Sequence, residues 1–102
     1  MLESAQNILE YAGHSDKESF FADKMRVDAV VRNFEIIGEA AAHIPSEIRN
    51  RYTAIDWRKI VNFRNVLIHE YFGVSQEITW DAIKSKLPAL IDQLKYAIAR
   101  EC

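Results

Sequence analysis

Glycine and proline are scarce in this chain, with 3 and 2 copies among 102 residues. So few turn-forming residues exclude a β-sandwich, which needs many tight turns. The one cysteine, Cys102, cannot form an internal disulfide, which fits a reducing cytosol. No apolar run approaches the ~18–20 residues of a membrane span, and residues 1–6 lack a basic, apolar signal peptide. We therefore expect a cytoplasmic protein with no membrane segment.

An excess of positive charge is also missing, because 13 Lys and Arg face 15 Asp and Glu, for a net charge of -2. No global basic field indicates nucleic-acid binding, so any RNA contact would need a local patch. Five basic residues could form a patch of this kind, a local basic rim, or could be scattered surface charges: Arg26, Arg49, Arg51, Arg58 and Lys59. The sequence shows no glycine-rich phosphate loop and no Cys/His metal spacing, so we expect neither metal nor cofactor.

Apolar residues recur at helical spacing along the whole chain, which predicts a single all-α domain over residues 1–102. The first helix is predicted over 2–12, with Gly13 as its stop, and a polar connection follows over 14–19. The second helix is predicted over 23–43, and Pro45 ends it. Ser46 is then expected to cap a short turn over 47–52.

Three further helix signals occupy the C-terminal half. Asp56 is a good N-cap for a helix over 57–71, with Gly73 as its stop. Thr79 is expected to cap a helix that begins at Trp80, and Pro88 either kinks that helix or opens a new one. Several amphipathic helices with short connections predict an antiparallel bundle.

The helix predicted over 57–71 holds the strongest candidate for chemistry. At ~100° per residue, its polar side chains share one stripe, which consists of Arg58, Asn62, Asn65 and His69. For Arg58 and Asn62 we favour a solvated face. Arg64 instead falls within the apolar arc, where a charged group needs a partner.

Arg64 has two interpretations that the residues alone leave open. It could bind a phosphate ligand, or it could belong to a buried ion pair with a carboxylate of the second helix. The candidate carboxylates are Asp28, Glu35 and Glu39. Gly38, in the apolar arc of the same helix, could permit a close helix contact.

The spacing of Arg64 and His69 points to two subunits. On a straight helix, two side chains five residues apart point in directions ~140° apart and are separated by ~7.5 Å along the axis. A single helix therefore does not easily bring both to one atom. Either the arginine reaches round, or a symmetric dimer brings two copies of the helix together. Asn65 and His69 are an i, i+4 pair, so Asn65 could orient the imidazole.

These residues resemble the Arg-x4-His-x-Tyr motif of HepT-like HEPN-domain proteins, with Arg64, His69 and Tyr71 in the three positions. The similarity covers nearly the whole chain, in order: residues 34–41, Ile44-Pro45, residues 55–57, residues 64–73 and Leu87-Pro88. The motif alone is short, but the ordered set is fairly specific.

The resemblance implies a HEPN bundle that forms a homodimer, with both motifs lining the cleft between subunits. It further implies a metal-independent endoribonuclease, the toxin of a toxin–antitoxin pair. The cognate antitoxin would be a minimal MntA-like nucleotidyltransferase that silences the toxin by adding AMP to Tyr71. From the residues alone, Tyr71 is more simply a core aromatic beside Arg64.

In this interpretation Arg64 would bind the scissile phosphate and His69 would move protons, with Asn65 in support. Two other functions stay open. The first is a non-catalytic helical module that binds a nucleotide or a nucleotidyltransferase partner. The second is a purely structural role, in which Arg64 is an ion-pair member of a dimeric bundle.

Overall fold

The computed structural model describes residues 1–69 and 76–101, except for the side chains of Ile68 and His69. The described part consists of helices and their connections, which confirms the all-α prediction. Its helices are α1 (Leu2–Ala12), α2 (Lys17–Ala22), α3 (Lys24–Ala42), α4 (Ser46–Arg51), α5 (Trp57–His69), α6 (Gln76–Asp81) and α7 (Leu87–Glu101), with a π-helical turn, Ala82–Lys86, between the last two.

The helices with the clearest apolar period form as predicted. α1 has its predicted bounds, and Gly13 follows its last residue. α3 lies within one residue of the predicted range, and its Asp23 carboxylate accepts a hydrogen bond from the Arg26 backbone N–H at 3.2 Å. That bond satisfies one of the free N–H groups at the start of the helix.

The predicted polar connection over 14–19 is partly wrong, because α2 begins at Lys17. Asp16 caps it by accepting a hydrogen bond from the Ser19 N–H at 2.7 Å. Phe20 is fully buried, with ring centroids 4.9 Å from Phe21 and 5.7 Å from Trp80. A six-residue helix with one buried side chain is too short to show a hydrophobic period in the sequence.

Ser46 does not cap α4, so that prediction is wrong. Ser46 is already the first helical residue, and Pro45 occupies the N-cap position without a side-chain hydrogen bond. The Pro45 carbonyl instead accepts from the N–H groups of Ile48 and Arg49, at 3.0 and 3.1 Å. The helix therefore begins one residue earlier than the capping pattern predicted.

Thr79 does not open a helix either. It lies buried inside α6, which begins at Gln76. The chain then passes through the π-helical turn Ala82–Lys86 into α7, where Pro88 is the second residue. Proline has no backbone N–H to donate to the preceding turn of a helix. The hydrogen-bond pattern of the helix is therefore interrupted at Pro88, next to the wider π-helical turn.

α3 lies between α1 and α5 and packs most extensively against both of them. The main core combines residues of five helices and the π-helical turn, among them Ile8, Phe20, Phe34, Leu67 and Ile91. A second cluster joins Tyr52 and Ile55 to Leu94 and Ala97 of α7. No helix in residues 1–69 or 76–101 is both long enough and apolar enough to cross a membrane.

Candidate active site

α5 is fixed at its N-terminal end by two hydrogen bonds. The Asp56 carboxylate accepts from the Lys59 backbone N–H at 3.1 Å, which confirms the predicted cap. The Trp57 indole Nε1–H donates to the Tyr52 carbonyl at 3.2 Å. Together these bonds fix the rotation of the helix about its axis, and therefore which side chains it exposes.

Part of the predicted apolar arc of α5 faces the core, whereas Val66, which belongs to the same arc, is 42% exposed. Leu67 is buried, and the Phe63 ring meets Phe34 of α3 edge to face, with centroids 5.0 Å apart. The three described members of the polar stripe are all exposed, namely Arg58, Asn62 and Asn65. The solvated face expected for Arg58 and Asn62 is confirmed.

Gly38 lets α3 and α5 approach each other at Arg64. A Cβ atom built on Gly38 would lie 2.1 Å from the Arg64 Cβ and 2.5 Å from its Cγ, far inside van der Waals contact. The stem of Arg64 therefore occupies the space that any other residue at position 38 would fill. The close contact expected of this glycine is confirmed.

The guanidinium of Arg64 lies at the edge of this helix contact, with 21% of its side chain exposed. Its Nη1 donates to the Glu39 Oε2 at 3.3 Å, and the Glu39 side chain is 65% exposed. The Arg64 Nε is buried and has no hydrogen-bond partner among the described residues. The arginine is thus held in place by packing, with one weak, solvent-facing ion pair.

Of the three carboxylates considered as partners for Arg64, the structure selects Glu39. Glu35 instead lies 3.5 Å from Arg32 on its own helix. Asp28 also lies on α3, but among the described ion pairs Arg64 contacts Glu39 alone. Arg64 therefore forms an ion pair with a carboxylate of the second predicted helix, but the pair is not buried, because the Glu39 side chain is 65% exposed.

His69 is the last residue of α5 that the structure describes, five residues after Arg64, and its side chain lies outside the described part. Tyr71 and Gly73 also lie outside the described residues. Asn65 is exposed on α5, four residues before His69. The backbone of α5 therefore carries the arginine, the asparagine and the histidine on one continuous helix.

A groove that the sequence did not reveal opens beside the exposed face of α5. It has a volume of about 790 Å³ and runs between α4, the following loop and the first half of α5. Its polar and aromatic lining includes Arg49, Asn50, Trp57, Arg58 and Asn62. Sequence reasoning missed it because the angle between α4 and α5 depends on tertiary packing.

The structure also separates the five basic residues of the predicted rim. Arg26 donates to the Tyr11 carbonyl at 2.8 Å and to the Ser15 hydroxyl. Arg51 pairs with Glu101 at 2.6 Å, and Lys59 with Asp56 at 3.9 Å. The remaining two, Arg49 and Arg58, both line the groove.

Within residues 1–69 and 76–101, no group of three or more His, Cys, Asp or Glu side chains is arranged to hold a metal ion. The polar groups of the candidate site are a guanidinium, a carboxylate and amides. The guanidinium and the amide N–H groups of this set can donate hydrogen bonds to an anion.

Residues 1–97 match the family described as HepT-like, ribonuclease HepT-like. A protein of Caldanaerobacter subterraneus subsp. tengcongensis named "Putative RNase" is 36% identical over 101 residues, which cover 99% of this chain and 90% of that protein. "Probable ribonuclease HepT" of Thermococcus cleftensis is 38% identical over 88 residues, covering 86% of this chain and 80% of that protein.

A longer relative is "Gamma-glutamylcyclotransferase and putative RNase" of Methanocaldococcus jannaschii, 39% identical over 94 residues. That match covers 92% of this chain but 42% of the relative, so the similarity is confined to part of that protein. No solved structure matches this chain.

Proposed function

This chain belongs to the HepT-like ribonuclease family, and we propose that it is an endoribonuclease that cuts RNA without a metal ion. The observation that supports this most is the placement of Arg64. Packing against Gly38 fixes its stem, while its guanidinium reaches the surface and contacts the exposed carboxylate of Glu39. A phosphate could replace or join that carboxylate with little cost, because exposed ion pairs contribute little free energy.

Arg64 would bind the scissile phosphate and stabilise the negative charge that builds up on its oxygens. A guanidinium suits this role because it stays charged and can donate two parallel hydrogen bonds. Since the stem is held between α3 and α5, little reorganisation would accompany the reaction. Glu39 would orient the guanidinium in the absence of RNA.

His69 would carry out the proton transfers. The 2′-oxygen of the substrate attacks phosphorus, its proton passes to one imidazole, and the bond to the 5′-oxygen breaks as another acid protonates that oxygen. The products are a 2′,3′-cyclic phosphate and a free 5′-hydroxyl. Asn65, one helical turn before His69, would orient the imidazole or bind phosphate.

Two copies of the chain would form each active site. The side chains of Arg64 and His69 leave α5 in different directions. A twofold axis that places two α5 helices face to face would bring the arginine of one subunit close to the histidine of the other. Two histidines would then be available, one as base and one as acid. Each subunit would act in the cytoplasm as a single domain of residues 1–102.

The test replaces each proposed catalytic group and measures RNA cleavage with a metal chelator present. Arg64→Ala should lower the rate by about 10²-fold or more, and His69→Ala by about 10²- to 10⁴-fold. Arg32→Ala is the matched control, because Arg32 is an exposed arginine of α3 paired with Glu35. Full activity of either variant would refute the assignment of that residue.

A second outcome would favour a non-catalytic module. If the wild-type chain cuts no RNA, but a nucleotide or a nucleotidyltransferase raises its melting temperature, the same cleft would serve binding alone. If neither binds and Arg64→Ala only lowers stability, the arginine would have a purely structural role.

We also propose that the enzyme is the toxin of a toxin–antitoxin pair and that an MntA-like nucleotidyltransferase silences it by adding AMP to Tyr71. A phosphodiester there would add negative charge two residues after His69 and would obstruct an RNA phosphate. Growth arrest on expression should disappear with His69→Ala. Mass spectrometry after co-expression with such a transferase should find AMP on the wild-type chain and none on Tyr71→Phe.

A further inference from the structure

The groove beside α5 is lined by four polar side chains that have no hydrogen bond or ion pair within the described part of the chain. Arg49 and Asn50 lie on α4, and Arg58 and Asn62 lie on α5. None of the four makes a side-chain hydrogen bond or ion pair with a described residue, whereas most other arginines of the described part do. Two guanidinium groups and two amides therefore line one groove without a hydrogen-bond partner among residues 1–69 and 76–101.

The charge of the groove is positive although the chain as a whole is negative. Arg49 and Arg58 supply two positive charges. Asp56, the carboxylate in the lining, already accepts from the Lys59 N–H and lies 3.9 Å from the Lys59 ammonium group. In a chain with a net charge of -2, these two arginines give the groove a local positive charge.

The wall of the groove also includes an aromatic ring. The half-buried Trp57 indole is held by its hydrogen bond to the Tyr52 carbonyl and lines the groove near Arg58. Arginines along a groove and an aromatic side chain on which a base can stack are the two elements of single-strand binding sites. We propose that this groove binds a single-stranded segment of the RNA next to the scissile phosphate.

The position of the groove along α5 supports this proposal, which rests on the proposed ribonuclease function. Helix positions 62 and 69 are seven residues apart, so they share a face with a rise of ~10.5 Å, and positions 58 and 65 are related in the same way. A strand held by Arg58 and Asn62 would therefore continue along the same face of the helix toward Asn65 and His69. The groove would position nucleotides that flank the cut.

A second copy of the chain fits this groove less well than RNA. Arginine and tryptophan also occur at the centres of protein interfaces, but a protein partner that buries these two arginines would have to supply a carboxylate for each of them. An RNA strand supplies a phosphate at every nucleotide and a base for the indole. The hydrogen-bond donors of the groove thus match an anionic polymer.

The experiment measures binding of a short single-stranded RNA oligonucleotide to His69→Ala protein, so that cleavage does not interfere. Arg49→Gln and Arg58→Gln should each weaken binding by roughly three- to tenfold and reduce the dependence on salt. Lys24→Gln is the matched control, because it also removes one exposed positive charge. Lys24 is the first residue of α3, whereas the groove is lined by Ala42, the last residue of that helix. The Lys24→Gln control should change RNA binding less than twofold. Arg58→Lys, which keeps the positive charge, should retain most of the salt dependence of RNA binding.

Steady-state kinetics on the cleaving enzyme give a second measurement. The double variant Arg49→Gln/Arg58→Gln should raise KM about tenfold or more and leave kcat nearly unchanged, because the groove holds RNA without touching the reacting atoms.

If the double variant binds RNA as tightly as Lys24→Gln does, the proposal is wrong. A double variant that loses dimerisation instead would assign the groove to a subunit interface and would also overturn the proposal. If the wild type binds RNA through these arginines but never cleaves it, the ribonuclease function fails while the groove assignment holds.

Discussion

Gly38 determines how closely α3 approaches α5 and therefore where Arg64 lies. The sequence identified both residues, because a glycine and an arginine each stand out within an apolar arc. It could not choose among Asp28, Glu35 and Glu39, since that choice depends on how far α3 is displaced along α5. The contact between Gly38 and the Arg64 stem fixes this displacement and brings Glu39, the next residue, to the guanidinium.

Gly38→Ala should destabilise the protein by about 1–3 kcal/mol, because the new methyl group would lie 2.1 Å from the Arg64 Cβ. The gain in helix propensity from alanine, about 1 kcal/mol, offsets part of this cost. RNA cleavage should fall more than stability implies, since Arg64 must move. Urea unfolding and cleavage assays at a temperature where the variant stays folded measure the two effects.

Ala89→Ser, at an exposed position of α7, is the control for adding an atom to a helix. It should change the unfolding free energy by about 0.5 kcal/mol or less. If Gly38→Ala is as stable and as active as this control, the close contact between α3 and α5 does not position Arg64.

At the scale of the helix, the sequence predicted those elements that bury a long periodic face. α1 and α3 have nearly the expected bounds because their apolar residues repeat over three turns or more. α2 and the start of α6 were missed because each of these helices is six residues long and buries a single residue. The groove was missed for a related reason, since short α4 has no period that indicates its direction.

A polar contact between helices attaches α4 to the end of α7. Arg51 and the Tyr52 hydroxyl both donate to the Glu101 carboxylate. The bond from Tyr52, followed by the one from Arg51, lowers the pKa of Glu101 below its ordinary value of 4.5. Because the pKa is lower in the folded protein, this contact stabilises the fold above about pH 4.5, and the stabilisation is lost as pH falls through the lowered pKa.

Glu101→Gln should therefore lower the melting temperature at neutral pH and flatten its decline in acid. Thermal unfolding between pH 7 and pH 3, followed by circular dichroism, measures both effects. Glu10→Gln is the control, since Glu10 is exposed on α1 and has no ion pair with a described residue. If the two variants show the same acid dependence, the link between α4 and α7 contributes nothing to the pH dependence of stability.

At the scale of the whole molecule, the described part of the chain is helical, and α5, the helix that carries Arg64 and His69, keeps a polar face exposed. Arg64 lies on one side of α5 and the polar stripe on another, so a single subunit brings them together poorly. The ordered family motifs let the sequence indicate the ribonuclease class. The dimer remains a prediction, since it depends on a second chain that the sequence of one subunit does not specify.

Co-expression of Arg64→Ala and His69→Ala subunits with two different tags tests the central claim most directly. The purified mixed dimer holds one arginine and one histidine in the cleft, each from a different subunit, while neither subunit has both. One histidine remains for proton transfer and water takes the place of the other, so RNA cleavage should stay well below that of the wild type. It should still exceed that of the parent dimers, because one parent lacks both copies of Arg64 and the other lacks both copies of His69. A mixed dimer no more active than its parents would contradict an active site shared between two subunits.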